Sequence, residues 1–382
     1  MSERLFFLAG EPSGDTRAAG LCRAIQEQDD QVQMRGVGGA KMQEAGVDLV
    51  MNMAREGVVG LWEVLGKLAY FAGAYRRVLS EIRQFDPDAV VLVDFPGFNL
   101  KLAEQLKRES IPVVYYISPQ VWAWRKYRIH KIRRCVDLML VLFQFEEELY
   151  ERHNVPVRWV GHPLVDEMSS VLEHGDEPSS FPSIDRSRDG TVIGLLPGSR
   201  VSEFSRLYPR MIDAVHHVAD RVRVQKTLVP VAEELNMDEM SEYRNRRDEV
   251  NEEWVSGRSR EVMRASDILL TASGTTTLEA ALIGTPMVVC YRVNPLTWVI
   301  GKLLVETEYI SLVNLVAQEE VVPECIQWEA TAERLSDELQ LLLGETAYKQ
   351  CTQKLQDVRR RLGPPGASKR AAESVLNFAQ TS

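Results

Sequence analysis

Short apolar runs, each followed at once by glycine, proline and polar residues, constrain the fold of this chain more than any other feature. Leu5–Leu8, Ala89–Val93, Val113–Ile117, Leu138–Leu142 and Val157–Val160 are near-continuously apolar, as strands covered on both faces are. Helical patterns separate most of them, which implies parallel pairing through right-handed crossovers. The pattern lapses at the polar stretch Glu173-His174-Gly175-Asp176-Glu177-Pro178-Ser179-Ser180, read as the interdomain linker or a loop beside it. It restarts with Val192–Leu196, Thr227–Val231, Ile268–Thr271 and Met287–Cys290, and helices over Thr331–Leu343, Ala347–Leu362 and Ala367–Ala379 close the chain. At 382 residues the chain is too long for one ordinary core. The expected fold class is α/β, with two Rossmann-like doubly wound parallel-sheet domains, over 1–168 and 190–363.

Composition narrows the function. A net charge of −10 argues against nucleic acid as a partner, because that affinity needs clustered cations along the phosphates. The five cysteines (Cys22, Cys135, Cys290, Cys325, Cys351) are scattered and form no CxxC pair, the usage of a reducing cytosol. Met1 runs straight into a strand with no signal-peptide pattern, and no stretch reaches the roughly 18 apolar residues of a membrane span. A cytoplasmic enzyme fits these features.

In open parallel sheets, ligands bind outside the carboxyl ends of the strands. The unusual clusters fall there: Ala9-Gly10-Glu11-Pro12-Ser13-Gly14-Asp15, Asp94-Phe95-Pro96-Gly97-Phe98-Asn99, Ser118 to Arg125, Pro197-Gly198-Ser199-Arg200 and Ala272-Ser273-Gly274-Thr275. Asp94 ends a buried strand, where partial desolvation raises a carboxyl toward useful basicity, so it is the leading candidate for a general base. A structural aspartate bonding its own turn has the same sequence. Glu11 is a second carboxylate on the rim, and Ser13 and Gly14 belong to the same glycine loop. Ser273, Gly274 and Thr275 open a helix whose N–H groups and hydroxyls suit a diphosphate. Ser199 and Arg200 form a strand-end turn in which the guanidinium offers paired donors to phosphate. Glu279, one turn into its helix, can accept from ribose hydroxyls or serve as an ordinary first-turn glutamate. His162 can touch substrate or be a satisfied core histidine.

Nothing suggests a metal or another cofactor. Asp86-Pro87-Asp88 precedes its strand and so lies at the wrong end of the sheet; it reads as a turn. The six histidines show no ligand spacing. Two features hint at a lipid surface. Leu61, Val64, Leu65, Leu68 and Phe71 recur at helical spacing within 61–77, beside Trp62, Tyr70, Lys67, Arg76 and Arg77; a core helix has the same pattern. Arg125, Lys126, Arg128, Lys131, Arg133 and Arg134 crowd 125–134 beside Trp122 and Trp124, which suits an anionic phosphate or lipid surface.

Taken together, AGEPSGD (9–15), GVVGLWEVLG (57–66), SPQVWAWR (118–125), LLPGSR (195–200), SGTTTLEAAL (273–282) and YRVNPLTW (291–298) resemble the lipid-A-disaccharide synthase family from Phe6 to the C-terminal helix. The resemblance implies a GT-B fold with the catalytic cleft between its domains and the terminal helix, 364–382, packed back on the first. It implies an inverting, metal-independent glycosyltransferase. The implied donor is UDP-2,3-diacylglucosamine and the acceptor 2,3-diacylglucosamine 1-phosphate, giving a β(1→6) lipid A disaccharide 1-phosphate and UDP. It also implies peripheral placement on the cytoplasmic face of the inner membrane, through 61–77 and 125–134, and leaves the oligomeric state open, a homodimer included. Carried over position by position, Asp94 resembles the base and Glu11 and Ser13 resemble active-site residues, while Arg200, Glu279 and Asn314 resemble UDP-side contacts. Asn99, Ser118, Trp124 and Arg125, in the same rim clusters, are expected with Ser13 and Gly14 on the acceptor side. Three positions depart from the family: Pro12 stands for the usual alanine, Gly97 for a second aspartate found in many relatives, and Trp62 for a smaller aliphatic residue. Two rival readings remain from the sequence, a UDP-sugar epimerase of related fold and a non-catalytic nucleotide-sugar-binding protein. A Rossmann oxidoreductase is weaker, since Gly36-Val37-Gly38-Gly39 is only a fragment of the dinucleotide fingerprint.

Overall fold

The computed structural model describes residues 3–53, 64–173, 189–233, 235–243, 250–305 and 307–381. The chain divides into two compact units, Met1–Asp166 with Leu362–Ser382, and Glu167–Arg361. In the first unit the strands are β1 (Arg4–Ala9), β2 (Gln33–Gly38), β3 (Asp48–Asn52), β4 (Ala89–Val93), β5 (Val113–Tyr116), β6 (Leu138–Val141) and β7 (Val157–Trp159). They form one sheet in the order β3-β2-β1-β4-β5-β6-β7, and each neighbouring pair is parallel. The second unit holds β8 (Thr191–Leu196), β9 (Val224–Val231), β10 (Glu252–Ser256), β11 (Ile268–Ala272), β12 (Met287–Tyr291) and β13 (Glu324–Ile326), parallel in the order β10-β9-β8-β11-β12-β13. Each unit is thus a doubly wound α/β sheet, the architecture of the two halves of a GT-B fold.

The central strands follow from their apolar runs: every residue of β4 and β11 is buried, as strands covered by helices on both faces must be. Four strands carry no such run and are additions to the sequence reading. The edge strands β3 and β10 are mostly half-buried. Strand β13 is only three residues long, and β2 mixes Gln33, Arg35 and two glycines. Arg35 remains in β2 because its guanidinium reaches Glu81 at 2.9 Å and Asp48 at 3.5 Å. The Gly36-Val37-Gly38 fragment is therefore strand, not a phosphate loop: a Cβ on Gly36 would stand 2.3 Å from the carbonyl oxygen of Phe7 on β1.

The Ala367–Thr381 helix packs on the Pro12–Gln28 helix, so the last segment belongs to the first unit. Its entry is fixed by Asp166, whose carboxylate accepts from the N–H groups of Gly366 and Ser368. Asp88 accepts the N–H of Arg4 at 2.7 Å, tying Asp86-Pro87-Asp88 into the turn that feeds β4. No helix among the described residues is long and apolar enough to cross a membrane. The expected linker from His174 to Ser180 and residues 61–63 lie outside the described residues, as do the side chains of 64–71.

Substituting Gly36→Ala should lower stability by about 1–3 kcal/mol, because the obstacle is main chain and cannot rotate away. Urea unfolding followed by circular dichroism checks this, and an unchanged midpoint would contradict the close packing of β2 on β1.

Candidate active site

In a doubly wound sheet the crevice lies where successive connections leave in opposite directions. In the first unit that point is the β1–β4 pair, where Ala9 is opposite Val93. The two chains leave the sheet side by side, and the first carboxylates beyond them are Glu11 and Asp94. Glu11 is exposed and extended (φ −134°) and precedes the Pro12–Gln28 helix, with Pro12 in its first turn. Proline is favoured there, since its missing N–H would have no helical partner. The expected glycine loop is thus a helix start. Ser13 lies exposed in the first turn, while Gly14 and Asp15 are buried. Asp15 accepts from the N–H groups of Gly39, Lys41 and Met42, which anchors the exit of β2 to this corner.

Asp94 has left-handed backbone (φ 46°), and Phe95 follows it at φ 49°. For residues with a Cβ this costs on the order of 1–3 kcal/mol each and persists only where the surroundings enforce it. Here they do. Asp94 donates its N–H to the Tyr116 carbonyl at 3.0 Å. Its own carbonyl accepts from Tyr115 Oη at 2.6 Å and from Asn99 Nδ2 at 2.7 Å. Phe95 stacks on Phe98 and lies over Gly10, where a Cβ would stand 2.4 Å from its ring. The half-buried Asp94 carboxyl is pushed up to about 6 by burial and then by the negative charge of Glu11, with a bond from the Phe95 N–H pulling the other way. A carboxylate held there is both ionised near neutral pH and basic enough to take a proton.

Several other expected residues serve the scaffold. Asn99 is fully buried and gives its amide N–H groups to the Val93 and Asp94 carbonyls. Ser118 is buried, donates to the Pro119 carbonyl and lies 2.7 Å from Tyr150 Oη. His162 is buried, accepts from the Leu164 N–H, and is held neutral by burial and Arg17, which lower it to about 3. Trp124 is half-buried and carries the guanidinium groups of Arg125 and Arg128 over its ring, at 4.4 and 5.2 Å. Arg125, Lys126 and Tyr127 are exposed beside it. The segment is anchored by Glu146, a buried carboxylate that sequence reading missed. Glu146 accepts from Trp122 Nε1 at 3.1 Å and from the Phe143 N–H at 3.2 Å, and burial raises it to about 7 against these bonds.

In the second unit the corresponding point is the β8–β11 pair, where Leu196 is opposite Thr271. After β8, Gly198 (φ 108°) leaves room for Glu203, and Ser199 and Arg200 stand exposed before the Val201–Ala219 helix. The Arg200 side chain is 78% exposed and pairs with Glu203 at 2.8 Å, a surface contact that a phosphate can displace. After β11, Gly274 precedes the Thr275–Ile283 helix, and Ser273 Oγ donates to the Ile310 carbonyl. Glu279 is 2.9 Å from Arg260, so its carboxylate is already paired. Asn314 is fully buried, and its amide is saturated. Nδ2 donates to the Val322 carbonyl and Glu324, and Oδ1 accepts from the N–H groups of Val321 and Val322. Glu324 on β13, also missed from the sequence, gathers Ile310, Ser311 and Asn314 around its carboxylate. Among the described residues, no group of three or more His, Cys, Asp or Glu converges as metal ligands would.

A family model described as "Lipid-A-disaccharide synthetase" matches residues 5–377. The lipid-A-disaccharide synthase of Trichlorobacter lovleyi is 40% identical over 100% of this chain and 98% of its own length. That of Geobacter sulfurreducens is 39% identical over 99% and 97%, and that of Myxococcus xanthus 38% identical over 98% and 97%. Among solved structures, a putative UDP-N-acetylglucosamine 2-epimerase from Listeria monocytogenes superposes with TM-score 0.64 at 14% identity, covering 98% of this chain and 95% of that one. The glycotransferase of kitacinnamycin gives TM-score 0.64 at 13% identity, covering 99% of both chains. At such identities these two likenesses concern the fold alone.

Replacing Glu11→Gln removes a negative charge near Asp94 and should lower the midpoint at which the Asp94 carboxyl titrates, since less repulsion favours its ionised form. Carboxyl-carbon NMR of the labelled protein measures this. An unmoved or higher midpoint would show that the two carboxylates do not interact.

Proposed function

The chain belongs to the lipid-A-disaccharide synthetase family, and from that premise we propose that Asp94 is the general base of its sugar transfer. The enzyme is an inverting glycosyltransferase of lipid A biosynthesis. It joins UDP-2,3-diacylglucosamine to 2,3-diacylglucosamine 1-phosphate, forming the β(1→6) disaccharide 1-phosphate and UDP.

The observation that carries the role of Asp94 is its place at the end of a buried strand, on enforced backbone, with a carboxyl raised to about 6. Asp94 takes the proton of the acceptor's 6-hydroxyl while that oxygen attacks the donor's anomeric carbon. The bond from that carbon to the UDP oxygen breaks, and the configuration inverts. Glu11 keeps Asp94 basic and is the second carboxylate toward the acceptor, with Ser13 exposed beside it in the same helix turn. On the donor side, the Arg200 guanidinium and the N–H groups at Gly274 and Thr275 meet the diphosphate, with Ser199 and Ser273 at the same turns. Glu279, steadied by Arg260, receives the ribose hydroxyls. Asn314 acts at one remove: its saturated amide supports a contact through the 310–314 turn and not through a side-chain bond to UDP.

The Trp124 platform with Arg125, Lys126 and Arg128 offers cations to the acceptor's phosphate and, with the rest of 125–134 and with 61–77, to an anionic membrane surface. This basic segment supports a peripheral position on the cytoplasmic face of the inner membrane. Gly97 is exposed in the first turn of the Pro96–Arg108 helix with nothing within 4 Å of an added Cβ, so the aspartate of other family members would fit there.

Asp94→Asn should reduce kcat by about 10²-fold or more while calorimetric UDP affinity stays within error. Near-normal turnover would remove Asp94 from the role. In the unsubstituted enzyme kcat/KM should fall as pH drops through about 6, as the carboxylate is protonated and ceases to be a base. Charge reversal at Lys126, Arg133 and Arg134 should weaken binding to phosphatidylglycerol vesicles by roughly 1 kcal/mol per residue in a flotation assay. Unchanged flotation would sink the membrane assignment of 125–134.

A further inference from the structure

Tyr115 takes no part in the proton transfer, yet it touches the residue that does. It lies on β5, the strand next to β4, and is fully buried. Its hydroxyl donates to the main-chain carbonyl of Asp94 at 2.6 Å. The next residue, Tyr116, accepts the Asp94 N–H at 3.0 Å. Strand β5 therefore grips the peptide groups on both sides of Asp94, one by a side chain and one by main chain. Asn99 Nδ2 adds a second bond to the same carbonyl at 2.7 Å.

The grip matters because Asp94 is not in strand conformation. With φ 46° here and φ 49° at Phe95, the main chain turns away from the ladder just where the carboxylate is set. The Asp94 carbonyl is thereby lost to the sheet and needs other donors, and Tyr115 supplies one from inside the core. Burial and the nearby Asp94 charge drive the phenol's acidity far from neutrality, so the hydroxyl remains a donor.

We propose that Tyr115 is a positioning residue for the sugar transfer, whose hydroxyl holds the Asp94 main chain in its left-handed conformation and so fixes where the base stands. The assignment rests on Asp94 as the base and extends it to the support behind it. It differs from a packing role in acting through Asp94 alone.

The test is a double-mutant cycle on the full-length enzyme with Tyr115→Phe, Asp94→Asn and the double variant, each checked by thermal unfolding. Tyr115→Phe keeps the ring and leaves Asn99 on the carbonyl, so the protein should fold. Its kcat should fall by about tenfold, since small displacements of a reacting group carry losses of this order. UDP affinity and donor KM should be unchanged. In the Asp94→Asn background the same substitution should add less than about a twofold loss, because the base it positions is already gone. Equal losses in both backgrounds would show a structural role and overturn the proposal, and so would a wild-type rate for Tyr115→Phe. Near-normal turnover of Asp94→Asn would instead overturn the base assignment itself, so the two failures are distinguishable.

Discussion

In each unit two parallel strands lie side by side while the segments that follow them depart to opposite sides: β1 with β4 in the first, β8 with β11 in the second. No crossover covers the carboxyl ends of such a pair, so a crevice remains beside them. The residues entering it come from strands whose other positions are buried; Asp94 is itself half-buried, whereas Glu11 and Arg200 stand exposed. Glu11, Asp94, Arg200 and Gly274 all lie within four residues of a switch-point strand end. The strand pairing therefore sets which polar groups can act together within each unit, before any of them is bound to substrate.

At the first of these points the sheet's geometry and the chemistry are linked through strain. The chain must turn sharply after Val93, and it does so with two consecutive left-handed residues that are not glycine. The conformation is held by Tyr115, Asn99 and Tyr116, and by an aromatic ring seated where Gly10 has no side chain. The supports come from β5, from the Pro96–Arg108 helix and from the segment after β1, so the position of Asp94 is over-determined. The same burial that makes this support rigid also weakens the carboxyl as an acid, with Glu11 adding to it. A rigid, basic carboxylate is a single consequence of how β1, β4 and β5 meet.

Much of this was legible in the sequence, for a physical reason. Strands covered on both faces must be continuously apolar, so the central strands announce themselves, and the polar residues just beyond them stand out by contrast. Edge strands lack that requirement. Strands β3 and β10 are half-exposed, and β2 keeps Arg35 by pairing it with acids from elsewhere, so none of them carried the signal. The helix start at Pro12 was read as a loop because Ser13 and Gly14 are turn residues, although proline in a first helical turn was a cue to the contrary. Asn99, Ser118 and His162 stand out in the sequence as polar residues at strand ends, and Asn314 through the family resemblance, yet burial turns their hydrogen bonds inward. Tyr115, Glu324 and Arg260 left no local trace, and Glu146 none of its bond to Trp122. Their partners lie 21, 10, 19 and 24 residues away, and only folding brings them into reach.

The central claim is a single displacement at the anomeric carbon, assisted by one carboxylate. The most direct measurement incubates the purified protein with UDP-2,3-diacylglucosamine and 2,3-diacylglucosamine 1-phosphate and reads the new anomeric centre by NMR while UDP release is counted. A β-linked disaccharide 1-phosphate, formed in step with UDP, is the predicted result. An α-linked product, or UDP released without disaccharide, would contradict it.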